Sequence, residues 1–149
     1  MIKIRNKMGE VIFEYALGER FDFDSAELAN VDLTGAVLEG ADFSGANLAG
    51  ACLRECDFYW AIFFKANLRS ANLHSAILRG SDLKEADLTG ADLTQADLGP
   101  DEFRGGTHLE GANLSKCKIE GAIFTNAIYT STTILPEGFD PKVHNMKLV

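Results

Sequence analysis

Apolar side chains recur along this chain with a period of five. From Phe23 the series runs Phe23, Leu28, Leu33, Leu38, Phe43, Leu48, Leu53, Phe58, Phe63, Leu68, Leu73, Leu78, Leu83, Leu88, Leu93, Leu98 and Phe103. It resumes six residues later at Leu109 and continues through Leu114, Ile119, Phe124, Tyr129 and Ile134. All 23 centres are Leu, Phe, Ile or Tyr, and in 15 cases the residue two positions earlier is Ala. The position between them favours Asp or Asn, as at Asp42, Asn47, Asn72 and Asp87, and Gly is common two residues after the centre.

That period suits neither ordinary element. A helix would carry successive centres about 140° around its surface and leave no apolar stripe. A straight strand would invert the face at every fifth residue. A chain that bends inward after each pentapeptide keeps every centre and every preceding Ala inside, with Asp or Asn and the corner residues outside. Small Gly, Ser or Asn after the centre suits a tight corner. The phenylalanines suggest how many corners close a coil. Phe23, Phe43, Phe63 and Phe103 lie on a 20-residue grid with Leu83 between them, and Phe124 joins it if Arg104–His108 holds a one-residue bulge. The expected coil is therefore square, with Phe58 alone off a ladder of stacked rings.

With these residues the chain resembles a pentapeptide-repeat protein. The family motif, Ala, then Asp or Asn, then Leu, stands unmodified in Ala46-Asn47-Leu48, Ala66-Asn67-Leu68 and Ala71-Asn72-Leu73. It recurs through the run Ala86-Asp87-Leu88 to Ala96-Asp97-Leu98. The resemblance covers about residues 21–135 and implies a right-handed quadrilateral parallel β-helix of between five and six coils. The segments Ile4–Phe13 and Leu135–Pro141 also resemble the ends of cyanobacterial members. At the spacing of paired strands such a rod is about 25–28 Å long. Its ends would expose unpaired backbone and need caps. Residues 1–20, alternating around Asn6-Lys7-Met8-Gly9, read as a capping β-hairpin, and residues 136–149, with Pro136 and Pro141, as an irregular C-terminal cap.

Composition narrows the function classes. The 149 residues carry a formal charge of −8, which disfavours direct nucleic-acid binding through phosphates. No apolar run suits a membrane span. The N-terminus lacks the apolar core of a signal peptide, so a cytoplasmic location is expected. No catalytic, metal or cofactor constellation stands out, and a non-enzymatic protein is expected. His74, His108 and His144 are not grouped with carboxylates at ligand spacing. Asp82, Asp87, Asp92 and Asp97 should point outward from four sides of one coil, a solvated ring rather than an acid/base pair. Cys56 and Cys117 fill small inward slots, expected on one side about three coils (14 Å) apart, too far for a disulfide. Cys52 takes an outward slot.

The anomaly lies in apolar residues at polar positions. Tyr59, Trp60, Ile62 and Phe64 surround the centres Phe58 and Phe63, and Val37 and Ile77 break the rule one coil below and above. Such a patch marks a partner site unless a terminal cap covers it. Ile123 and Ile128 are expected beneath the C-terminal cap. The leading expectation is a binding scaffold presenting a rigid surface to a protein partner, itself a monomer or weak homodimer. The alternative follows from the resemblance, because some family members mimic DNA and bind DNA gyrase. Here Lys65, Arg69, Arg79 and Lys84 interrupt the acid.

Overall fold

The computed structural model describes residues 2–6, 10–15, 21–103 and 105–149, without the side chains of 2–6, 12 and 15. The 16–20 part of the expected N-terminal cap, its 7–9 turn and Arg104 of the expected bulge lie outside the described residues. Five named strands occur in chain order: β1 (Ile2–Asn6), β2 (Val11–Tyr15), β3 (Val31–Asp32), β4 (Ile128–Tyr129) and β5 (Lys147–Leu148). Most of the fold is carried instead by single parallel bridges between outward residues 20 apart. Asp22, Asp42, Ile62 and Asp82 ascend the first side; Glu27, Asn47, Asn67 and Asp87 ascend the second. Asp32, Cys52, Asn72 and Asp92 mark the third, and Val37, Asp57, Ile77 and Asp97 the fourth. Four pentapeptides thus close one coil, and the fold is the quadrilateral parallel β-helix expected from the repeat.

The motif explains each corner. The N–H two residues before a centre donates to the carbonyl of the preceding centre, as Ala46 does to Phe43 at 3.0 Å. The third residue of that four-residue turn has positive φ, 63° at Gly45, which defines a type II corner and explains the frequent Gly. Asp or Asn before the centre serves the same corner. Its Oδ1 accepts the N–H two residues on, as Asp42 does from Ser44 at 2.9 Å and Asp82 from Lys84 at 2.9 Å. Outward polarity and corner formation are therefore one property.

Inside, the centres from Phe23 to Leu98 and the alanines from Ala41 to Ala96 are buried. A fully buried Leu or Phe contributes about 1.5–3 kcal/mol. Phe43 lies between Phe23 and Phe63, with parallel rings at 4.7 and 5.0 Å, and Phe58 meets Phe63 edge-on at 5.0 Å. Hydroxyls and thiols in the Ala slots bond back to carbonyls. Ser81 and Thr107 both donate to Leu78 O at 2.7 Å, Cys56 to Leu33 O at 2.9 Å and Cys117 to Leu88 O at 3.0 Å.

The irregular region differs from the expected one-residue bulge. Asp82 bridges His108, and Asp97 bridges Ile123, so six extra residues enter between Leu98 and Leu109. Phe103 is not a core centre. It is 74% exposed on a loop outside the rod, because the slot two residues earlier holds Asp101, which the apolar interior cannot take. The Phe ladder is accordingly shorter. Phe124 stands in the column of Phe58, not of Phe43, and Cys117 faces the third side while Cys56 faces the fourth. A second, one-residue slip puts Ile134 opposite Asn113 as an outward residue, 52% exposed, rather than as the last centre.

Both ends of the described rod are covered. β1 pairs antiparallel with β2 and, on its other edge, with β3 through Arg5–Asp32 and Asn6–Val31, while Phe13 sits edge-on to Phe23 at 5.5 Å. At the other end β5 pairs parallel with β4, Phe139 packs on Phe124 at 5.2 Å, and His144 stacks on Phe139 at 4.3 Å. Ile128 lies under this tail as expected, but Ile123 does not and is 46% exposed.

Burial pushes the thiols of Cys56 and Cys117 up to about 12 from an ordinary 9.0. The unfolded chain therefore loses these protons first as pH rises, and the folded state loses stability between pH 9.0 and about 12. Chemical denaturation across that window should show a steeper alkaline decline in the wild-type protein than in Cys56→Ala, which keeps the small slot filled. Superimposable profiles would refute the burial of an inert thiol.

Candidate partner-binding site

Six apolar residues stand out in the sequence, and the structure divides them. Tyr59, Trp60 and Ile77 share one concavity of about 530 Å3 with Glu39, Asp57, Arg79, Asp97 and Glu102. Ile62 lies on the next side between Asp42 and Asp82, and Phe64 stands at the following corner beneath Lys65 Nζ, 4.9 Å from its ring. Val37 is exposed one coil below Asp57 on the fourth side. The two groups flank one corner without forming a single pocket.

No described residue of either terminal cap lines this concavity. The six-residue insertion supplies its wall. Asp101 Oδ2 accepts the indole N–H of Trp60 at 2.9 Å, and the Glu102 N–H donates to the Tyr59 hydroxyl at 3.0 Å. Phe103 stacks on Trp60 with centroids 5.7 Å apart and planes 11° apart. Asp101 also closes its own loop, accepting the Gly105 N–H at 2.6 Å while its N–H donates to Gly105 O at 2.8 Å. The Trp60 hydrogen bond in turn holds the Asp101 carboxyl below the usual carboxylate range. Trp60 itself occupies a corner with φ of 56°, an uncommon place for so large a side chain. The indole has room because the corner above is Gly80, where a Cβ would fall 2.6 Å from Trp60 Cδ1. Even with the loop in place, Trp60 is 43% exposed.

Sequence reasoning missed Asp101, Glu102 and Phe103 because Phe103 lands on the five-residue grid. The available signal was the motif around it, Asp101 in the Ala slot and Glu102 where Asp or Asn belongs.

Around the concavity, Arg79 donates through Nε to Asp97 Oδ2 at 2.6 Å, and that bond raises its pKa further. The other interrupting bases pair similarly between coils: Lys65 with Glu85, Arg69 with Asp87 and Lys84 with Glu110. The carboxylates Asp82, Asp87, Asp92 and Asp97 stand on four different sides, with no shared acid/base geometry. Among the described residues no group of three or more His, Cys, Asp or Glu is placed to hold a metal ion, and the three cysteines are free thiols. Among those residues no helix is long and apolar enough to cross a membrane.

A filled square solenoid with one decorated corner defines the class of protein. The family model for pentapeptide repeats matches it in eight copies over residues 22–59, 66–99 and 105–128, and the chain belongs to that family. The crystal structure of HetL is 32% identical with a TM-score of 0.59; HetL is a pentapeptide repeat protein involved in heterocyst differentiation regulation in the cyanobacterium Nostoc. That match covers 85% of this chain and 56% of HetL, so the chain spans little more than half of its relative. A pentapeptide repeat protein from the Arabidopsis thaliana thylakoid lumen is also 32% identical, over 73% of both chains, with a TM-score of 0.54. A comparison with curated proteins found no match. The family match breaks at residues 60–65 and 100–104, the two segments that supply Trp60 and Phe103.

Proposed function

We propose that this protein is a non-enzymatic binding scaffold whose rigid β-helix presents the corner around Trp60 to a protein partner. The observation that carries this reading is the pair of stacked, solvent-facing aromatics, Trp60 and Phe103, on a rod whose interior is otherwise filled. Both lie in segments outside the family match, and neither side chain is part of the buried core. Ile77 and Phe64 extend the apolar surface to either side, each more than a third exposed. A surface fixed by ladder hydrogen bonds loses little conformational entropy on docking.

Gyrase binding by DNA mimicry is less favoured. Lys65, Arg69, Arg79 and Lys84 each pair with an acidic side chain, which breaks the acidic surface into neutral and negative zones rather than a phosphate-like array. A supercoiling assay with purified gyrase would support that reading if the protein inhibited the enzyme.

Affinity purification with the wild-type protein and with the double variant Trp60→Ala, Phe64→Ala tests the scaffold assignment. The variant is expected to lose at least one protein that the wild type retains, with its circular dichroism unchanged. Retention of every partner by the variant would remove the patch as the docking surface.

A further inference from the structure

We propose that the concavity beside Trp60 receives an arginine or lysine side chain from a basic segment of the partner protein. This rests on the docking surface proposed above and adds the chemistry of what docks there.

Four carboxylates line the concavity, Glu39, Asp57, Asp97 and Glu102, against one cation, Arg79. Arg79 is already committed, with Nε and Nη2 both 2.6 Å from Asp97 Oδ2. Glu39, Asp57 and Glu102 form no ion pair among the described residues. Elsewhere the mid-rod bases neutralise acids on the next coil, Lys65 with Glu85 and Arg69 with Asp87. Uncompensated negative charge thus gathers where the exposed aromatics stand.

The aromatic rings select the same sign. Trp60 and Tyr59 both line the concavity, with ring centroids 4.7 Å apart and planes tilted by 45°. A cation over such rings is attracted by their quadrupoles, with Trp the strongest partner. A guanidinium also offers five donors to surrounding carboxylate oxygens and stacks on an aromatic plane. An anionic segment would be repelled by the three carboxylates. A wholly apolar one would strip water from them without replacing its hydrogen bonds. Ile77 beside the rings fits the aliphatic stem of the entering side chain or an apolar neighbour.

Trp60 is the only tryptophan, so its fluorescence reports on this site alone. The probes are a blocked pentapeptide, acetyl-Ala-Leu-Arg-Leu-Ala-amide, and the same peptide with neutral citrulline in place of arginine. The arginine peptide should change the emission saturably at millimolar concentration, less so at high salt. The citrulline peptide should bind about fivefold more weakly or worse. In the triple variant Glu39→Gln, Asp57→Asn, Glu102→Gln the preference for arginine should shrink to the part that the rings supply, about twofold or less. That variant preserves the fold contacts. An asparagine amide oxygen at position 57 can still accept the Tyr59 N–H, and residue 102 contacts Tyr59 through its backbone. Equal binding of both peptides to the wild type, or no saturable change with either, would overturn the proposal. If the peptides bind equally but Trp60→Ala with Phe64→Ala still sheds a partner, the docking surface stands and only its cation chemistry fails. If charge selectivity is found while every partner is retained, the reverse holds.

Discussion

Replacing Phe43 by alanine is expected to lower the unfolding free energy by about 3–5 kcal/mol, the range for deleting a buried aromatic ring. Phe43 is fully buried, between Phe23 and Phe63 at 4.7 and 5.0 Å and edge-on to Phe58 at 5.8 Å. Its neighbours are tied to the coils by ladder hydrogen bonds and cannot collapse into the void. In a protein of this size that loss corresponds to a fall in Tm of about 10 °C. Phe43→Leu should cost only about 1 kcal/mol, since Leu83 and Leu109 fill the same column higher up. The informative contrast is Phe103→Ala. As an inward centre it would cost as much as Phe43→Ala; on the exposed loop it should change stability by less than about 0.5 kcal/mol. Denaturant melts of the three variants decide the matter, and a Phe103→Ala loss comparable to that of Phe43→Ala would return Phe103 to the core.

The second large effect is expected at Gly106, where the loop rejoins the rod. A Cβ there would lie 1.8 Å from Asn126 O and 2.7 Å from its carbonyl carbon. Both are backbone atoms, and the Asn126 N–H is engaged with Asn145 O at 2.9 Å, so the obstruction cannot swing aside as a side chain would. Gly106→Ala should therefore cost about 3 kcal/mol, the upper end for overpacking. The three atoms nearest an added methyl at Gly105 all belong to the Asp101 side-chain carboxylate, the first 2.9 Å away, and Gly105→Ala should cost less than about 1 kcal/mol, in the range of an ordinary surface change. Melts followed by Trp60 fluorescence would show whether the loop leaves its seat first. Equal stability of the two variants would mean that the loop re-enters by another path.

Much of the core was legible because the inward slot and the centre recur every five residues from Leu28 to Leu98, with Val31 the one large residue in the small slot. The misreading came from arithmetic modulo five. A slip of one residue and an insertion of six leave later centres in the same phase, so Leu109 and Leu114 fall inside on either reading. Phe103, apolar and on the grid, concealed the difference. Only the acidic Asp101, in a slot with no space or partner for a charge, carried the distinction. The misplaced sides of Phe124 and Cys117 descend from it, whereas Ile134 is displaced by the second slip. The candidate site was half legible for the same reason. Tyr59 and Trp60 break the outward polar rule and declare themselves, whereas the loop that stacks on them was spent on an imagined coil.

Ladder bonds on both sides of the insertion are undisturbed: Leu78 N–H reaches Asp97 O at 2.7 Å, and Leu83 N–H reaches His108 O at 2.8 Å. The coils below and above the insertion therefore keep their ordinary register. A corner of this kind acts as a port. Chain can leave and re-enter there at a closure cost that grows only slowly with length, while register above and below is held by neighbours. Such a rod can exchange one surface loop for another without retuning its core, so the decoration of a corner and the stability of the rod can be altered independently.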